Sequence, residues 1–370
     1  MYDLRLENRR AARTGAVALL LSVFLLSTAS WAQQEDSAEL KYVKRAFSAL
    51  EHRLDEIEKS IDDVLWFDRV GDVAYVDKVR IVGPPRWREP NPTAQGAGNP
   101  VKFYCYVFIP RDVAPGKKYP LLVLPHGGVH ANFDTYHTHL IREMTAQGYI
   151  VAAPDYRGST GYGRGMVELI DYGGLENEDV LAARNFVLEN YRFADKDRVG
   201  IVGWSHGGMI ALMNIFKYPD AYQVAFAGVP VSDLVARMGY KGDDYRALYS
   251  APYHLGKTAE ADVQEYRRRS PVLHVDKLRT PLLIHGNTND EDVNVLEVEH
   301  LVQALKAAGK KFEYEIFQDA PGGHSFDRLD ILPAKQIRLK IYAFLARHLN
   351  PPRPFRSLQD LQTAGYAGNR

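Results

Sequence analysis

The sequence predicts an α/β domain: a mainly parallel β-sheet covered on both faces by helices. The first observation is a set of short apolar runs at 121–124, 149–153, 199–202, 224–227, 282–284 and 312–317, the pattern of strands buried on both sides. The second is that helical stretches at 136–146, 176–189, 209–216, 296–308 and 333–349 fall between them, and strands alternating with helices imply parallel pairing. The third is size. A chain of 370 residues, 46% hydrophobic, can bury one large α/β domain with an appendage, or two small domains.

The elements before that alternation follow in order. Arg5, Arg9, Arg10 and Arg13 precede an apolar block at 15–26 and the small residues around Ser30, Trp31 and Ala32. This is the charge, apolar and small-residue order of a secretory signal peptide, with cleavage expected after Ala32; the block is shorter than the ~20 residues that span a bilayer. From 36 to 65, Leu40, Val43, Phe47, Leu50, Leu54, Ile57, Ile61 and Val64 recur at steps of three and four, one amphipathic helix. Its stripe suits packing on the α/β domain, or pairing with a second copy as a homodimer. Runs at 76–82 and 101–109 read as an antiparallel strand pair separated by a loop rich in Pro, Asn and Gly. The single cysteine, Cys105, lies in the second run, where a buried structural thiol is expected. The stretch 235–269, rich in Tyr and charge, breaks the alternation and reads as an insertion near the mouth of the site. The polar tail from 351 is expected to pack loosely.

Chemistry concentrates at Gly203-Trp204-Ser205-His206-Gly207-Gly208, between a strand and a helix. A serine at the apex of such a turn sits in strained backbone geometry, and a side chain at Gly203 or Gly207 would collide with the neighbouring strand and helix. In an open α/β sheet the loops at the carboxyl ends of the strands converge, so partners belong just after later strands. Asp290 follows the 282–284 run and His324 follows the 312–317 run. Serine, acid and histidine thus stand in the chain order of α/β-hydrolases. Ser205 is the expected nucleophile and His324 its general base; for the acid, Asp290 competes with Asp292 and, less well, Glu291 or Asp319. Oxyanion donors are expected from the backbone N–H of His206 and of Gly127 or Gly128, the latter two following the 121–124 strand. His130, His137 and His139 do not make a convincing metal cluster, because residues two apart on a helix diverge, and no metal or cofactor is expected. Gly161, Gly163 and Gly165 read as a structural loop; no Lys-Ser/Thr pair follows to cradle a phosphate.

The segments at 154–163, 203–208 and 266–271, leading to Thr280-Pro281-Leu282-Leu283-Ile284-His285-Gly286, resemble the catalytic domain of the prolyl oligopeptidase family of serine peptidases. The resemblance covers about 118–349. It implies an α/β-hydrolase fold and places the acid at Asp290, three residues before Val293, although Glu291 replaces the second Asp of the family pattern. Family members usually carry an amino-terminal β-propeller where this chain has room for a helix. Where prolyl-specific members have a tyrosine and aromatics around the first pocket, this chain has His206, Leu234 and Arg237, so a proline-shaped pocket is not implied. His126, Leu234, Arg237, Tyr240 and Val293 are the expected substrate walls.

The sequence therefore leads to a serine hydrolase acting on peptide bonds. A carboxylesterase for small or carbohydrate-linked esters is the first alternative, and a non-catalytic scaffold of the same fold the second. The expected organisation is a signal peptide (1–32), a helical extension (33–70), a catalytic domain (71–350) and a tail (351–370). Lys+Arg and Asp+Glu both number 46, so no net field draws nucleic acid. The expected setting is secreted or periplasmic, without stable membrane insertion after cleavage.

Overall fold

In a computed structural model of the protein, residues 38–365 are described; the signal-peptide reading lies outside them. The chain divides into two compact units, Met1–Glu51 and His52–Arg370. Helix α1, Ala38–Val70, begins in the first and ends in the second. In the second unit, one face of α1 is buried: Trp66 stacks on Phe133 at 5.6 Å and meets Phe108 edge-on at 4.8 Å. Lys59, 3% exposed, donates to the Phe133 carbonyl (2.5 Å) and Asn132 (3.0 Å) and pairs with Asp155 (3.2 Å). A buried ammonium persists only with such a full set of partners. The glycines at 161 and 163 have their explanation here. Their Cβ atoms would meet Lys59 and Glu56 of α1 at 2.7 Å each, so that loop is cut to fit the helix.

Eight strands form one sheet in the order β1-β2-β4-β3-β5-β6-β7-β8. Strands β1 (Ala74–Pro85) and β2 (Pro100–Pro110) are the expected antiparallel pair, and β2 also runs antiparallel to β4 (Ile150–Asp155). From β4 through β3 (Tyr119–Val123), β5 (Ala194–Trp204), β6 (Val224–Gly228), β7 (Leu282–Asn287) and β8 (Glu313–Phe317) every pairing is parallel. Two apolar layers, one on each face, confirm the covered sheet. One layer includes Val123, Ile201 and Ile210; the other includes Leu122, Val202 and Ile341. Consecutive residues go to opposite faces, as the strand period of two requires. Cys105 is fully buried in the first layer, and burial pushes its thiol far above the ordinary range.

The covering helices are α2 (Thr138–Ala146), α3 (Glu176–Asn190), α4 (His206–Lys217), α8 (Val295–Ala307) and α9 (Leu332–Leu349). The 235–269 segment is helical, with α5 (Leu234–Tyr240), α6 (Asp243–Ser250) and α7 (Val263–Arg268). The tail corrects the expectation of loose packing. Helix α10 (Leu358–Ala364) has a capping box, Ser357 with Asp360, and buries Leu361 completely. Arg353 donates to the Ala146 carbonyl at 2.8 Å, which ties the tail to the end of α2.

Candidate active site

Ser205 sits between β5 and α4 with φ 57° and ψ −121°, a conformation L-residues avoid unless the surroundings enforce it. The surroundings do. Its N–H donates to the Gly228 carbonyl (2.9 Å), and its own carbonyl accepts from Met209 (3.0 Å) and Val231 (3.3 Å). A Cβ at Gly203 would stand 2.1 Å from the Gly207 carbonyl oxygen, and one at Gly207 would stand 2.3 Å from that of Pro125. Only glycine permits this approach, as the spacing predicts.

Asp290 and His324 meet. His324 Nδ1 lies 2.9 and 2.8 Å from the two Asp290 oxygens, and the Asp290 side chain is 1% exposed. Asp290 Oδ1 also accepts the N–H groups of Asp292 and Val293, both at 2.8 Å, which fixes the carboxylate in the turn. Asp292 is the more exposed carboxylate, at 40%; its Oδ2 is 3.7 Å from His324 Nε2. Burial pushes its pKa up, but Arg237, Lys241 and His324 outweigh that and hold it below the usual carboxylate range. Nδ1 thus faces a buried carboxylate and Nε2 faces the open side.

Three links hold the serine, acid and histidine loops against one another. Trp204 Nε1 donates to Asp327 Oδ2 at 2.7 Å, joining the residue before Ser205 to the segment after His324. Asn287 at the end of β7 donates to the carbonyls of Ala320 (3.1 Å) and Gly323 (3.0 Å). Glu291 accepts the His324 N–H at 2.9 Å. Among the described residues no hydrogen bond joins Ser205 Oγ to His324. Such bonds are commonly long in unliganded hydrolases and shorten when substrate binds.

Gly127 lies against the elbow, where its Cβ would meet the Trp204 carbonyl oxygen at 3.1 Å and Ser205 Cβ at 3.4 Å; Gly128 has φ 75°. The N–H groups of Gly127, Gly128 and His206 have no acceptor among the described residues, and that of His206 opens a helix, where an unpaired donor is normal. The loop is braced from below. His126 Nε2 bonds Ser159 Oγ at 2.9 Å, its ring stacks on Tyr156 at 4.2 Å, and Tyr156 Oη donates to the His126 carbonyl at 2.8 Å. Burial depresses the His126 pKa to about 4.

The expected substrate walls differ in burial. His126, Leu234, Arg237 and Val293 are at most 2% exposed, leaving Tyr240, at 39%, as the accessible one. Arg237 is turned inward because its guanidinium is bound to Glu297 (3.1 Å), Asp292 (3.2 Å) and Tyr245 (2.6 Å). Sequence reasoning also missed Glu176 and Tyr156. Glu176, fully buried, accepts from Gly174 N–H (3.0 Å) and contacts His206 Nε2 (3.3 Å), and Tyr156 Oη reaches His206 Nδ1 (3.3 Å). Both stand in or near segments whose pattern was recognised, but nothing local marks them as neighbours of residue 206. His130 contacts the Gly158 carbonyl, His137 stacks on Phe133, and His137 and His139 both lie edge-on to Tyr136.

A sequence profile of the prolyl oligopeptidase family matches residues 135–352, more than half the chain. The chain belongs to the prolyl oligopeptidase family. It is 30% identical over 225 residues to dipeptidyl peptidase 8 of Mus musculus, covering 58% of this chain and 24% of that protein. To the acylamino-acid-releasing enzyme of Arabidopsis thaliana it is 26% identical over 279 residues, covering 71% and 36%. The chain therefore spans about a third or less of these relatives' length. Among solved structures, a puromycin-hydrolyzing peptidase of Mycobacterium tuberculosis superposes with a TM-score of 0.58 at 25% identity, covering 72% of this chain and 39% of that one. An acylaminoacyl peptidase in complex with a chloromethyl ketone gives 0.60 at 20% identity over 78% and 44%, a likeness of fold. The family match spans the elbow, the acid and the histidine.

Proposed function

We propose that the protein is a serine peptidase that cleaves peptide bonds through an acyl-enzyme on Ser205. The observation that carries this is the buried Asp290 carboxylate on His324 Nδ1, in a loop tied to the strained Ser205 turn. With Nδ1–H held by Asp290, the lone pair of His324 is on Nε2, the position required to take the serine proton. Ser205 Oγ attacks the substrate carbonyl, and the N–H groups of His206 and Gly127 or Gly128 receive the oxyanion. Each such donor contributes about 3 kcal/mol to the transition state. His324 then protonates the leaving amine, and the same histidine activates water to release the acyl group.

Family membership favours an amide substrate. Inward-turned Arg237, and His206 tied to Glu176 and Tyr156, argue against a pocket moulded to proline. The leading basic and apolar segment supports export to the periplasm or medium. The test is a substrate panel: aminoacyl, N-acyl-aminoacyl and dipeptidyl anilides beside p-nitrophenyl esters, with the wild type and Ser205→Ala. Anilide hydrolysis lost in Ser205→Ala is expected. Turnover of esters alone would make the protein an esterase, and no turnover together with no fluorophosphonate labelling would make it a scaffold.

A further inference from the structure

Helix α1 presents two faces, one buried and one exposed. Numbered as a heptad with Leu40 at position a, the a and d sites are Leu40, Val43, Phe47, Leu50, Leu54, Ile57, Ile61 and Val64, a strict alternation of three and four over about 36 Å. Lys59 and Trp66, the buried anchors, both fall at position f, on the opposite side of the helix. All eight a and d residues are large, apolar and between 43% and 69% exposed. If each gives up about 90 Å² of apolar surface, the stripe supplies roughly 700 Å² per copy, close to the about 800 Å² per partner of a standard interface.

We propose that this stripe is a parallel, in-register coiled-coil seam between copies of this chain. A strict seven-residue repeat is the signature of a supercoil, whereas a helix lying on one globular surface follows the 3.6-residue period. The flanking charges set the direction. In parallel register, position g of one copy faces position e five residues on in the next, so Glu39 meets the second copy's Lys44 and Arg53 meets its Glu58. With the same stripe antiparallel, Lys44 faces Glu58, but Glu51 faces Glu51 and Arg53 faces Arg53, which offsets that gain. Leucine at two of the four a sites (Leu40, Leu54) with β-branched residues at three of the four d sites (Val43, Ile57, Val64), widened by exposed Leu65 and Phe67, favours more than two copies.

The test uses the purified full chain. Sedimentation equilibrium is expected to give a multiple of the chain mass, and Leu50→Lys with Ile57→Lys is expected to reduce it to the single chain with ester and anilide turnover unchanged. Cys105 is fully buried, so Leu50→Cys introduces the accessible thiol. Mild oxidation should then link one chain to another through residue 50, since a d site faces itself in a parallel coil. A dimer, trimer or tetramer that passes this cross-linking test upholds the seam. A single-chain mass at about 100 µM, a mass unchanged by the two lysines, no cross-link at 50, or vesicle binding without self-association would overturn it.

Discussion

Asp290 and Asp292 both approach His324, and replacing each by asparagine separates their roles. In Asp290→Asn the amide oxygen can keep the Asp292 and Val293 N–H groups, both now 2.8 Å from Oδ1, so the turn should persist. The new NH2 then faces His324 Nδ1 at the position of Oδ2, 2.8 Å away, and forces that nitrogen to accept. The proton moves to Nε2, and no lone pair is left to take the serine proton. This wrong tautomer costs about 10⁴ in kcat, or about 5.4 kcal/mol at 1.36 kcal/mol per decade. Asp292 sits 3.7 Å from Nε2, is 40% exposed and is shared with Lys241 and Arg237, so Asp292→Asn should change kcat by about tenfold or less. Stopped-flow acylation with a p-nitrophenyl ester reads the difference, with thermal melts to show both variants folded. A loss of 10³ or more in Asp292→Asn, with less than tenfold in Asp290→Asn, would refute the assignment of the acid.

Three further outcomes follow from the same geometry. Gly207→Ala puts a Cβ 2.3 Å from the Pro125 carbonyl oxygen, so it should lower stability by about 1–3 kcal/mol in urea denaturation and abolish activity. Arg157→Met leaves Asp179 buried without its bidentate partner (2.7 and 2.8 Å) and should cost about 3–5 kcal/mol in the same assay. His126 and His285 have folded pKa values lowered by burial to about 4 and about 3, so the unfolded chain binds the extra protons. Stability should therefore hold above the unfolded value of about 6.5 and fall as pH drops from there towards 4, at up to about 1.4 kcal/mol per pH unit per histidine. His285→Phe, in a site between Phe226 and Phe317, should remove one histidine's share of that slope in pH-dependent urea melts.

The strands of the parallel sheet were legible because buried runs such as 199–202 carry their signal locally. Their ends were not: β5 extends back to Ala194 through Asp195, Lys196 and Asp197, a polar stretch that bulges between the Ala194–Tyr119 and Val199–Leu121 pairings and carries no apolar signal. The serine turn was readable because its glycines answer to contacts within a few residues. The burial of Arg237 was not legible because it is held by Asp292 and Glu297, 55 and 60 residues away, and no local pattern reveals which charges will be drawn inward. Helix α10 is the opposite case. Ser357-x-x-Asp360 is a visible capping signature within a tail that is otherwise polar.

Activity-based labelling tests the central claim most directly. Fluorophosphonate treatment of the full chain, mapped by peptide mass spectrometry, is expected to modify Ser205, to fail in Ser205→Ala, and to slow by at least 10³-fold in folded His324→Ala. Modification at another residue, or an undiminished rate on Ser205 without His324, would contradict the account.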